Sequence, residues 1–150
     1  MIDEFFEQAR QALVLAPDLT YARAQAIGDT PQAQDVHAQL VLAHQQTLQT
    51  SGFELYLSAH APLPEARDVN VLLDGQGQPV ALTYTEDVFI VPYASVNEAQ
   101  AQQAGAASLD AWQQTQAAVF TKAYAQAGLT FDPATAMLVL EQFRVIYPID

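Results

Sequence analysis

The chain has no cysteine among its 150 residues, which excludes disulfide scaffolds, zinc–thiolate centres and cysteine nucleophiles together. Basic residues are nearly as scarce. Arg10, Arg23, Arg67, Lys122 and Arg144 stand scattered against 17 acids, and the net charge is −12. Duplex binders gather Lys and Arg to neutralise several phosphates at once. Five dispersed cations do not build such a patch, so duplex DNA is not an expected partner. A pocket for a single base needs only a few local donors and an apolar wall, and remains compatible. No run approaches the ~18 consecutive apolar residues of a membrane span. The first fifteen residues carry Asp3, Glu4, Glu7 and Arg10, which a signal peptide would not. A cytoplasmic protein without a membrane partner is expected.

What is present is a globular pattern. With 51% hydrophobic residues in well-separated periodic segments, the chain reads as one domain over 1–150, long enough to bury a core. Residues 2–16 read as a helix with Ile2, Phe5, Phe6, Ala9 and Leu13 on one face, stopped by Pro17. Its acidic start, Asp3-Glu4-Glu7, suits the helix dipole and solvent. Thr30 as N-cap and Pro31 at the first position predict a second helix ending near His44, with Ala33, Val36, Leu40 and Ala43 inward. Residues 47–51 read as a short strand or extended turn, 52–58 as a brief helix, and Pro62-Leu63-Pro64 as a loop. Val69 to Leu73 and Pro79 to Val91 are strands joined at Asp74-Gly75-Gln76-Gly77. The Gln- and Ala-rich stretch 98–107 reads as a mobile connection. Ser108 caps a long helix reaching Ala127, its inner face Leu109, Trp112, Val119, Phe120 and Ala123. A last strand, 136–147, places Met137, Val139, Phe143, Val145 and Tyr147 on one side. The order is α+β.

Several of these pieces together resemble the ASCH domain. They are Ile27-Gly28-Asp29, Leu40-Val41-Leu42-Ala43, Pro62-Leu63-Pro64, Leu73-Asp74-Gly75 and Val91-Pro92-Tyr93. Further on come Ser108-Leu109-Asp110-Ala111-Trp112, Phe120, and Glu141-Gln142-Phe143-Arg144-Val145-Ile146-Tyr147. The match runs in order over about residues 20–147, leaving residues 1–19 as an N-terminal helix. The resemblance implies a small PUA-like β-barrel of the ASCH type decorated with helices. It also implies RNA or modified bases as ligands, some members being amidohydrolases acting on N4-acetylcytidine.

The departures from that family fall where its chemistry lies. Its Gly-x-Lys-Thr-x-Thr run has His44 at the glycine, Gln46 at the lysine, Thr47 at the first threonine and Gln49 at the second. The lysine and second threonine are the family's proposed catalytic pair, and neither is present at its position. The acidic run before Ser-Leu-x-x-Trp is Gln102-Gln103-Ala104-Gly105-Ala106. A histidine one turn past the tryptophan is Gln116, and a strand glutamate is Tyr84, with Thr85 retained. Amide hydrolysis needs an activated nucleophile, a proton carrier and an oxyanion donor. Glutamine supplies no titrating group, though it can donate and accept hydrogen bonds to a base edge.

The expectation is therefore a binding domain rather than an enzyme. It takes a nucleoside, modified base or short single-stranded RNA, with no metal or cofactor. The ligand residues implied are His44, Gln46, Thr47, Gln49, Tyr84, Thr85, Glu86 and Gln116. Two other readings stand beside it: an amidohydrolase whose acid–base groups are relocated to His44 and Glu86, and a protein-interaction module with an acidic surface. His37 and His44, seven residues apart, miss the spacing of three or four used by helical metal pairs. Glu86 and Asp87 are strand neighbours and point to opposite faces, one exposed and one near a barrel mouth. Trp112 on the apolar stripe of its helix reads as core before it reads as a stacking platform. Thr47 and Ser51 have no adjacent base, so Ser-His-Asp chemistry is unsupported.

Overall fold

A computed structural model describes residues 1–149. Helix α1 (Ile2–Leu13) ends at Val14, whose left-handed backbone closes the helix three residues before Pro17. A short edge strand, β1 (Arg23–Gln25), leads to α2 (Pro31–Leu42), which starts as the sequence predicts: Thr30 Oγ1 accepts from Ala33 N at 3.1 Å. Strand β2 (Leu48–Gly52) runs directly into α3 (Phe53–Ala59). The hairpin of β3 (Val69–Leu73) and β4 (Pro79–Pro92) turns through Asp74, whose carboxylate accepts from Gln76 N and Gln78 N. A 3-10 turn (Tyr93–Ser95), α4 (Glu98–Gln103), α5 (Leu109–Gln126) and β5 (Met137–Tyr147) complete the chain.

The five strands form one curled, half-barrel sheet in the order β1-β3-β4-β5-β2. Only β1 and β3 are parallel. One face of β3 and β4, with Val69, Val71 and Leu82, is covered by Phe6 and Ala9 of α1. On the other face Leu72, Ala81 and Phe143 pack under Ala38 and Val41 of α2. At the far end Leu48, Leu138 and Leu140 meet Trp112, Phe120 and Tyr124 of α5. There Tyr93 stacks on Trp112 with ring centroids 5.3 Å apart and meets Phe131 edge-on.

Four expectations need correction. The 98–107 stretch contains a helix, because Asn97 and Gln100 form a reciprocal capping box. Helix α2 buries Ala38 and Val41, whereas Val36 is 58% exposed and Ala43 also faces out. Strand β5 is buried on both faces from Leu138 to Glu141, so its expected alternation is lost between β4, β2 and their covering helices. Glu86 and Asp87 are both exposed, because the register shifts between Thr85 and Asp87 and leaves Glu86 unpaired in a bulge.

Candidate functional site

The polar end of α2, the start of β2 and the inner side of α5 diverge enough to leave a cavity of about 370 Å³. Pockets for small ligands span about 300–1,000 Å³. Its apolar wall includes Ile27, Leu40, Trp112 and Val119, and its polar groups include His37, Gln49, Thr50, Thr115 and Gln116. Asp29 is the only carboxylate in the lining, which contains neither Lys nor Arg. Gln116 Nε2 donates weakly across the site to Thr50 Oγ1 at 3.4 Å. Gly105, with φ +93°, closes the wall beside Gln46; a Cβ there would lie 3.0 Å from Gln46 Oε1 and 3.1 Å from Leu40 Cδ1.

Gln46 is only 2% exposed, and both ends of its amide are taken within the protein. Its Nε2 donates to the Leu48 carbonyl at 3.2 Å, which fixes the amide's orientation and turns Oε1 toward His37 Nδ1 at 2.7 Å. Since that oxygen can only accept, Nδ1 carries the proton. In the neutral tautomer that this bond selects, Nε2 is an acceptor. Gln46 thus sets which ring nitrogen of His37 carries the proton in the neutral imidazole.

In the sheet beneath, four further polar side chains are buried: Asn70, Thr83, Thr85 and Glu141. Asn70 Nδ2 donates to Thr85 Oγ1 at 3.2 Å, and Thr85 Oγ1 donates to Glu141 Oε2 at 2.5 Å. Burial pushes the Glu141 carboxyl above its ordinary range; the Thr85 hydrogen bond and the charge of Arg23 oppose this, and Asp68 adds to it. Arg23 itself pairs with Asp68 at 3.6 Å and donates to the Pro62 carbonyl at 3.0 Å.

Of the residues singled out in the sequence, Gln46, Gln49 and Gln116 line the cavity, and Thr85 lies in the buried cluster beside it. His44, Thr47, Tyr84 and Glu86 are not in the lining. His44 and Thr47 are exposed beyond the end of α2. Tyr84 packs among the side chains under α1, with the Arg144 guanidinium 5.2 Å from its ring centroid. Glu86 is half exposed, 3.6 Å from Arg144. Trp112 serves the core and the cavity wall together, at 3% exposure. Sequence reasoning did not single out Thr50, weighed His37 only as half of a metal pair, and passed over Asn70 and Glu141. The signal for the last two was present: each is a polar residue inside an apolar strand run, Val69-Asn70-Val71-Leu72 and Val139-Leu140-Glu141-Gln142-Phe143.

A curled sheet with helices on both faces and a cation-free pocket between helix and sheet defines an α+β, PUA-like half-barrel domain. Residues 23–147 match the family model of the ASCH domain, so the chain belongs to the ASCH domain family, which is associated with RNA binding. Among solved structures it is similar to protein EF3133 from Enterococcus faecalis V583. That match has 29% identity and a TM-score of 0.90, covering 97% of this chain and 87% of that one. An ASCH domain from Lactobacillus crispatus JV V101 shares the fold at 23% identity and a TM-score of 0.88, over 97% and 93% of the two chains. No curated protein matches the chain. Among the described residues, no helix is long and apolar enough to cross a membrane.

Proposed function

We propose that this domain binds a nucleoside or a free or modified base, alone or at the end of a short single-stranded RNA, and does so without catalysing its hydrolysis. The observation that carries the reading is the cavity itself, flanked by an indole and lined by amides and hydroxyls but by no cation. Such a wall suits a flat neutral ring with donors and acceptors on its edge. A phosphate would have to stay outside, and the net charge of −12 disfavours a long RNA track. Gln49, Gln116, Thr50 and His37 Nε2 face the ligand in this reading, whereas Gln46 positions His37. The relocated hydrolase has less to stand on, since Glu86 is half exposed and absent from the lining.

Trp112 is the chain's single tryptophan, so all tryptophan fluorescence comes from a residue in the cavity wall. Titration with cytidine should give a saturable change, and Thr115→Phe, at an exposed lining position, should weaken it at least tenfold. N4-acetylcytidine incubated with the protein should remain acetylated by chromatography. A flat titration to millimolar cytidine would contradict the binding reading; release of acetate would contradict the non-catalytic one.

A further inference from the structure

The cluster beneath the cavity holds two acceptors that the protein does not answer. While Glu141 is ionised its carboxylate only accepts, so the Thr85 hydroxyl proton is committed to Glu141 Oε2. Asn70 must then offer its NH2 to the remaining lone pair of Thr85, which leaves Asn70 Oδ1 over. That atom is buried and has no hydrogen-bond partner, in a side chain more than nine-tenths buried. Glu141 is buried to the same degree, and its Oε1 takes no hydrogen bond among the described residues. A gap of about 20 Å³ lies against Asn70, Thr83, Glu141, Gln25 and Gln49. One small polar group fits a space of that size, a water needing ~10–15 Å³. Ile27 and Gln49 line this gap and the main cavity alike. Arg23, the cation whose charge acts on Glu141, is engaged with Asp68 and the Pro62 carbonyl.

We propose that the gap is the subsite that reads an exocyclic amino group on the bound base, one N–H answering Asn70 Oδ1 and the other Glu141 Oε1. The inference rests on the nucleoside reading above, with the ring in the main cavity. A carbonyl at the same position would bring a third acceptor against two, and an N-acyl group would overfill the space. Bases of the adenine and cytosine type are therefore selected over those of the hypoxanthine and uracil type, and over their own N-acylated forms. A site built to hydrogen-bond a ligand N–H rejects the analogue lacking it more strongly than an apolar pocket could.

Calorimetric titration of the full chain with cytidine, uridine, adenosine and inosine tests this, because each pair differs by an amino group exchanged for a carbonyl. The amino member of each pair should bind at least tenfold more tightly. Glu141→Gln, which keeps the shape and removes the charged acceptor, should cut that preference to within threefold, with Asn70→Ser as a second variant. Circular dichroism establishes that each variant is folded. Equal affinities within both pairs, or an undiminished preference in folded Glu141→Gln, would overturn the subsite and leave the nucleoside pocket standing. Failure of all four to bind would overturn both.

Discussion

Glu141 is the residue whose environment departs furthest from what a surface carboxylate needs. Burial raises its folded-state affinity for a proton above the ordinary value of 4.5. The folded chain then holds more protons than the unfolded chain between 4.5 and the raised value, so stability falls as pH rises through that window. Above it the cost of burying the charge is full; below 4.5 it vanishes. Glu141→Gln should therefore raise the urea midpoint at pH 7–8 and converge with the parent chain near pH 4. A stability difference as large at pH 4 as at pH 8 would contradict the sign. The subsite proposed for Asn70 and Glu141 would account for such a cost, since binding sites commonly trade stability for function. Gln46 has the opposite character. It satisfies His37 and the Leu48 carbonyl, and Gln46→Leu should lower unfolding free energy by about 1–3 kcal/mol through the groups left unpaired, measured by urea denaturation.

At the scale of elements, caps and turns were legible and coverings were not. Thr30-Pro31, Ser108 and Asp74-Gly75 mark their helix starts and hairpin through local bonds that a sequence states outright. Helix α4 was masked by composition. Its alanines and glutamines suggest a linker, yet Asn97 and Gln100 stand at capping-box spacing and hold its first turn. Asn97→Ala should cost about 1 kcal/mol and speed amide exchange across residues 98–103 before the rest of the fold; unchanged exchange there would show the box to be idle. Strand β5 defeated the alternation rule because its neighbours, not its own residues, decide which faces are dry. Helix α2 likewise turns Leu40 to a cavity and Val41 to the core, a division invisible without α5 opposite.

For the whole molecule, the architecture was readable because resemblance and periodicity pointed to the same α+β barrel, and the five-stranded curled sheet agrees. The site was readable only in part. Gln46, Gln49 and Gln116 were found through the positions that the resemblance gives to catalytic groups, whereas Asn70 and Glu141 come from separate strands that only the sheet brings to Thr85. The strongly negative chain and its cation-free cavity also fix how binding responds to ions. Counterion release requires phosphates neutralised by Lys or Arg, so nucleoside affinity should change less than about twofold between 50 and 500 mM salt, checked by calorimetry. A steep loss would mean that a charged contact carries the binding. The most direct measurement is a heteronuclear NMR titration of labelled protein with cytidine. The account predicts saturable shifts of the Trp112 indole, the Gln49 and Gln116 side-chain amides and the Asn70 amide, with little change at Glu86 or Phe89. Shifts gathered instead around Glu86 and Phe89, or none at millimolar cytidine, would contradict it.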